Sequence, residues 1–301
     1  MSAKAEPRLP RELEREIFLL ALAPFKDYQE ITSFMLVARR VRAWFKPLLF
    51  AVVNLNHSPH GHGFLRAVEA DPTLAVCADV KHLFIQDLCG RSEEEIADVV
   101  HTCTNLVGLA IDNVLDNSFL SSVASPHLRY LTACVEHLLA SGLPSTNLST
   151  ITHLTITDLI HPPSYRETLS DILAASALPA LTHLSLRFTT GLGVLYIPFL
   201  EDTVRKRPSP GLRILIVHVH GLRPSSTYDP DMAVLQTFSK NYPPLAVMIP
   251  NNLLALTILD WENTARGERD LWAAAAEFVD RKRRGLVDGQ RWWMELAPSG
   301  Q

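Results

Sequence analysis

The chain has 301 residues, 47% of them hydrophobic and 20% charged, with 28 basic and 32 acidic side chains for a formal charge of −4. Such a composition belongs to a globular protein of one large domain or two smaller ones and excludes wholesale disorder. The near balance of charge gives no global electrostatic drive toward nucleic acid or a membrane surface.

Charge is nevertheless unevenly placed. Residues 1–50 carry nine Lys or Arg against six Asp or Glu, and the remainder 19 against 26. A secretory leader is not expected, because Glu12, Glu14 and Glu16 stand where a basic segment belongs and Ile17 to Leu22 is too short an apolar core. Leu9-Pro10 followed by RELEREIFLLAL predicts a helix, since proline in a first turn gives up only an N–H that would be unpaired there. Leu13, Ile17 and Leu20 fall on one face, Phe18, Leu19 and Leu22 widen the apolar surface, and Pro24 stops the helix. A second helix is expected from an Asp27 N-cap to Pro47. It has Ile31, Phe34, Met35, Ala38, Val41 and Phe45 on its apolar side and Arg39, Arg40, Arg42 and Lys46 opposite. About forty residues cannot bury this much apolar surface alone, so the surplus faces the rest of the chain or another protein.

These residues resemble an F-box, in the divergent form abundant in mushroom-type fungal proteomes. The matching segments are Leu-Pro-x-Glu-Leu from Leu9 to Leu13, Ile17-Phe18, Leu36-Val37-Ala38-Arg39-Arg40, and Pro47-Leu48-Leu49-Phe50. At Val41, where many members carry tryptophan, this chain has valine, with Trp44 one turn later. The resemblance implies a helical module over residues 1–55 that docks on the Skp adaptor of a cullin-based ubiquitin ligase. By matching positions, Leu9, Pro10, Leu13, Ile17, Leu36, Val37 and Arg40 would face the adaptor. It implies a non-catalytic, substrate-recruiting subunit of the cytoplasm or nucleus, needing no cofactor.

Next comes HSPHGHG, with His57, His60 and His62, whose proline and glycines read as a mobile loop. The pattern apolar-x-x-Leu-x-apolar then recurs around Leu83, Leu109, Leu131, Leu154, Leu184 and Leu215, at spacings of 26, 22, 23, 30 and 31 residues. Helical patterns alternate with these strands at 93–103, 164–177, 197–207 and 229–242. The reading for residues 56–301 is therefore an α/β, irregular leucine-rich-repeat solenoid, with a parallel sheet on the concave side and helices on the convex side. Three positions beyond each strand, where such repeats often have Asn or Cys, this chain has Leu88, Val114, Glu136, Leu159, Thr189 and His220. A doubly wound α/β domain is the alternative fold.

With the central leucines turned inward, three columns face outward along the sheet. They run His82, Gly108, Tyr130, His153, His183, Ile214; then Phe84, Ala110, Thr132, Thr155, Ser185, Ile216; then Gln86, Asp112, Cys134, Thr157, Arg187, His218. Phe84, Tyr130, His153, His183 and Arg187 are the candidate target-protein contacts, since aromatic and Arg side chains anchor protein interfaces. The uncharged run from Asn241 to Leu259 contains three prolines and is not expected to cross a membrane. The C-terminal segment at about 268–284 predicts a helix ended by Arg281-Lys282-Arg283-Arg284 and Gly285, closing the open end of the solenoid.

Four cysteines without a CxxC pair argue for reduced thiols. The chain shows no serine-hydrolase elbow, no phosphate-cradling Gly-rich loop and no HExxH. Two other functions fit the sequence: a non-catalytic interaction scaffold whose N-terminal helices only cap the solenoid, and a metal-dependent enzyme built on the histidines.

Overall fold

The computed structural model describes residues 9–22, 28–56, 58–71, 73–112, 119–140, 149–159, 173, 178–189, 197–202, 211–220, 230–242, 245–248, 253–287 and 293–294. The amino end forms α1 (Arg11–Leu22), α2 (Tyr28–Met35) and α3 (Arg39–Leu49). The expected single second helix is thus two. The N–H groups of Leu36 and Val37 reach back only three residues, to the carbonyls of Ser33 and Phe34, and Ala38 is fully extended. Breaking the chain there lets Ile31 and Phe34 of α2 and Val41 and Phe45 of α3 point into one small core with Phe18 and Leu19 of α1. Pro47 lies inside α3 rather than ending it; so close to the helix end it removes a single bond of the ladder. Pro24 and Asp27 lie outside the described residues.

Among the described residues, nine strands form one parallel sheet, with spatial order equal to chain order. They are β1 (Val52–Leu55), β2 (His82–Ile85), β3 (Gly108–Ile111), β4 (Tyr130–Ala133), β5 (His153–Leu159), β6 (His183–Thr189), β7 (Ile214–His220), β8 (Leu245–Met248) and β9 (Trp293–Met294). All six strands expected from the repeating pattern are present, and β1, β8 and β9 join them. The order never reverses, so the sheet is not the doubly wound alternative. β1 assigns residues 52–55 to the sheet, at the end of what the sequence suggested was the helical module.

The central leucines and the apolar residues two positions on, from Leu83 and Ile85 to Leu215 and Val217, are buried in the main core. Packed against that same sheet face are α4 (Pro59–Ala70), α5 (Ala75–Asp79), α6 (Glu93–Thr102), α7 (Val135–Ala140) and α8 (Pro230–Asn241). Residues 197–202 are also helical; apart from buried Leu173, the segment 164–177 lies outside the described residues. Ser92 starts α6 with a reciprocal capping box to Glu95, and three glutamates in its first turn complement the helix dipole.

Residues 58–63 of the histidine-rich HSPHGHG stretch form the capped start of α4 rather than a loop. Ser58 caps it by accepting the Gly61 N–H, and Pro59 fits the first turn. A Cβ at Gly61 would sit 2.8 Å from the Asn56 carbonyl oxygen, so glycine lets the helix start lie against the end of β1. In the middle of the sheet, Leu154→Ala is expected to cost about 2–5 kcal/mol of stability, read as a lower denaturant midpoint. The reason is that Leu154 is wholly buried in the main core.

Two helices lie on the opposite face of the sheet: α9 (Leu253–Arg266) and α10 (Leu271–Arg283). Asp270 caps α10 by accepting the Ala273 N–H at 2.8 Å, and Gly285 follows at φ +68°, as its sequence predicts. Its position differs from expectation. Rather than closing the end of the sheet, α10 packs Leu271, Trp272, Ala275, Phe278 and Val279 on Ile214 and Ile216 in the outward columns. The outward columns are apolar at those positions, and an amphipathic helix buries its face where apolar area is offered. Among the described residues no helix is long and apolar enough to cross a membrane.

Candidate partner-binding surfaces

The N-terminal helices carry two apolar faces. Phe18 meets Phe34 and Phe45 edge-on at 6.3 and 6.2 Å, and Phe34 meets Phe45 at 6.0 Å, closing the small core around buried Val41 and Phe45. Val41, standing at the usual tryptophan position, is a core residue, and Trp44 packs beside Phe18.

The second face points to solvent. Of nine large hydrophobic residues exposed among the described ones, seven lie between residues 9 and 48: Leu9, Leu13, Ile17, Leu20, Leu36, Val37 and Leu48. Their exposures reach 87% at Leu36 and are 52% at Leu13 and Ile17. Pro10 is exposed at the start of α1, and Arg40 is exposed and pairs with Glu14, tying α3 to α1. All seven residues expected to face an adaptor therefore stand at the surface, and none is sequestered beneath later segments. Exposed apolar side chains are thus concentrated in this segment of the described residues.

The outward columns of the sheet align as their sequence predicts for the first two. His82, Gly108, Tyr130, His153, His183 and Ile214 are direct neighbours across β2 to β7, and so are Phe84, Ala110, Thr132, Thr155, Ser185 and Ile216. The third breaks between β5 and β6, where a register shift sets Arg187 opposite Leu159 instead of Thr157. A Cβ at Gly108 would fall 2.5 Å from His82 Nδ1, so the histidine ring fills that gap in its column.

Parallel registry stacks the rings of the first column. Tyr130 and His153 have centroids 4.4 Å apart, and His153 and His183 are 4.0 Å apart and nearly parallel. In each Thr-His pair the Thr hydroxyl lies 2.8 Å from the Nδ1 of the next residue's ring, and 3.3 Å from a carbonyl of the preceding strand. With that hydroxyl proton given to the carbonyl, Nδ1–H donates to the hydroxyl oxygen, which fixes the ring's orientation. The repeated Thr-His-Leu of β5 and β6 is the sequence signal for this arrangement.

This face is not open. Phe84 is buried under Trp261 of α9, at 5.2 Å between rings, and Trp272 of α10 stands edge-on to His153 and His183 at 5.3 and 5.7 Å. Of the five candidate target contacts, Phe84 is thus buried and His153 and His183 lie beneath Trp272. Tyr130 and Arg187 are half-buried. The physical reason is the pair of tryptophan-bearing helices, whose apolar faces match the apolar ends of the outward columns. Burial pushes His82 down to about 4; burial and then neighbouring His183 bring His153 down to about 3. His183 is brought down to about 4 by burial and the Arg213 charge, against the opposing pull of Asp270.

Ser185 Oγ lies 2.8 Å from His218 Nε2, the beginning of a nucleophile–base pair. Ser185 is fully buried, however, and His218 Nδ1 has no hydrogen-bond partner among the described residues, so no carboxylate there orients the ring. Arg187 donates from one terminal nitrogen to the Thr157 carbonyl at 3.2 Å; burial lowers its pKa while Asp112 and Asp158 hold it up. Cys77, Cys89, Cys103 and Cys134 are buried free thiols. His60 stacks on Phe50, and His57 lies outside the described residues. Among the described residues no group of three or more His, Cys, Asp or Glu side chains is placed to hold a metal ion.

No protein-family model matches the chain, and no curated protein matches it.

Proposed function

We propose that the chain is the substrate-recruiting subunit of a Skp–cullin–F-box ubiquitin ligase. The N-terminal helices hold the Skp adaptor, the sheet holds a target protein, and catalysis resides in other subunits acting by proximity. The observation that carries this reading is the outward apolar set on α1 and the α2–α3 turn, which coincides with the residues that the F-box resemblance assigns to the adaptor. Recruitment by proximity needs the two ends connected, and the end of α3 packs against both. Phe50 is buried in the sheet core, and Leu49 packs against both cores. The body is read as an irregular leucine-rich-repeat solenoid, supported by strand order equal to chain order and by spacings of 22 to 31 residues between central leucines.

A head that merely capped the sheet would use only the buried ends of its helices and would leave the outward set without a role. Co-purification separates the two. The full chain is expected to retain the Skp adaptor. Leu36→Asp with Val37→Asp, or Leu9→Ala with Leu13→Asp, is expected to weaken binding about 100-fold or more, since central apolar anchors each carry about 2 kcal/mol. Because these residues are exposed, the melting temperature should move by no more than about 2 °C. Failure of the unaltered chain to bind the adaptor overturns the recruitment reading.

A further inference from the structure

The outer sheet face is covered by two small apolar clusters that are separate from the main core. One joins Trp261 of α9 to Phe84 and Ala110; the other joins Trp272, Leu271, Ala275 and Phe278 of α10 to Ile214 and Ile216. Neither shares a buried residue with the large cluster on the other side of the sheet. Unzipping α9 and α10 therefore exposes two limited patches and leaves the main core whole, which is the condition for a local opening below global unfolding.

The two helices meet at a pair of carboxylates. Asp260, in the middle of α9, accepts the Leu271 N–H at 2.5 Å. Asp270, the N-cap of α10, accepts the Ala273 N–H at 2.8 Å, and the Thr264 hydroxyl lies 2.7 Å from its other oxygen. Two acids sharing one junction resist being ionised together.

We propose that α9 and α10 form a detachable cover over the outer face of the sheet, latched by the Asp260–Asp270 junction and loosened when both carboxylates are ionised.

The charges around the latch give the pH sense. Among the described residues, the charged group facing Asp260 is Asp270, and those packed with Trp261 of α9 are Val52, Phe84 and Ala110, which carry no charge. Asp270 in turn faces Tyr130 of β4 and His183 of β6, and Arg213 faces His183. Burial first, with the Asp270 charge adding and the Leu271 N–H opposing, pushes Asp260 up to about 7. A carboxyl raised in the folded state contributes its full stability below its ordinary 3.8 and loses it as the pH rises through about 7. The latch is tighter at pH 6 than at pH 8.

Thiol labelling tests this. Ile216→Cys places a probe beneath α10, and Val217→Cys one in the main core, where only global opening exposes it; the four buried native thiols set the background on the unaltered chain. Under native conditions the thiol introduced at position 216 should react with a small aromatic disulfide at least about tenfold faster than the one at position 217 at pH 8. The ratio should fall severalfold at pH 6, and Asp260→Asn, which keeps the acceptor for the Leu271 N–H, should abolish that fall. Equal rates at the two positions overturn the cover, and a ratio indifferent to pH and to Asp260→Asn overturns the latch. If the cysteine variants do not fold, amide exchange on the unaltered chain decides the same question. Residues 271–283 should exchange before 183–189, and simultaneous exchange overturns the proposal. Neither readout involves the adaptor, so loss of the recruitment reading and loss of this one are separate results.

Discussion

Phe45→Ala is expected to unfold the N-terminal bundle while leaving the sheet folded. Phe45 is fully buried and meets both Phe18 and Phe34 edge-on. Truncating a buried phenylalanine costs about 3–5 kcal/mol. A bundle of this size holds about that much stability in total. The sheet core is built from other residues, with Leu49 and Phe50 as the points of contact. Amide exchange should therefore rise to the unfolded limit across residues 11–49 and stay slow in β2 to β7, and adaptor retention should vanish with it. The contrast with Leu36→Asp and Val37→Asp is diagnostic, because those changes remove binding and leave the bundle protected. Loss of protection in the sheet and the bundle together would show that the two cores form one cooperative unit.

Acid is expected to destabilise the sheet over the range where its histidines take up protons. His82, His153, His183 and His218 are held at about 4, 3, 4 and 3, chiefly by burial, against an ordinary 6.5. A base whose folded-state pKa is depressed contributes its stability in full above the unfolded value and loses it as the pH falls toward the folded one. His218, buried beside Arg187, carries on the order of 4 kcal/mol of this at neutral pH, and about half of that is gone by pH 5. The other three are partly exposed and each adds less. Asp260 works in the opposite sense, gaining stability as the pH falls from about 7 toward its ordinary 3.8, so in the unaltered chain it offsets part of the histidine loss. In an Asp260→Asn chain, which lacks that offset, the melting temperature should drop by at least about 4 °C between pH 7 and pH 5, given roughly 2–4 °C per kcal/mol for a chain of this size. His218→Gln preserves a partner for Ser185 and cannot titrate, so it should flatten the profile. A melting temperature unchanged between those two pH values would sink the prediction.

The strands were legible because their signal is local. Each central leucine with an apolar partner two positions on is a period-two pattern, and six such patterns marked the strands, their inward residues and most of the registry between neighbours. β1 departs from that pattern, with Val53 where Leu83 stands in β2, whereas β8 carries it in Leu245 and Val247, paired with Leu215 and Val217, inside an uncharged, proline-containing run that masked it. The start of α4 was hidden for a different reason. Its glycines look like a loop, and only the approach of the Asn54 and Asn56 carbonyls shows why a helix needs Gly61 there. The register shift in the third column arises within β5 and β6 and has no counterpart in hydrophobic pattern.

By itself the sequence determined which residues are apolar, at what period they recur, and hence that an amphipathic helical head precedes a repeating α/β body; these follow from side-chain chemistry and backbone geometry within a few residues. It also marked Leu9, Leu13, Ile17, Leu36 and Val37 as surplus apolar surface at the head. Tertiary structure alone decided that this surplus faces solvent, because the aromatic triangle of Phe18, Phe34 and Phe45 fills the small core without it. It alone decided that the histidine column lies beneath Trp272, because helices distant in sequence found the apolar ends of the sheet's outer face. Burial is a property of what packs against a residue, and no local pattern carries it.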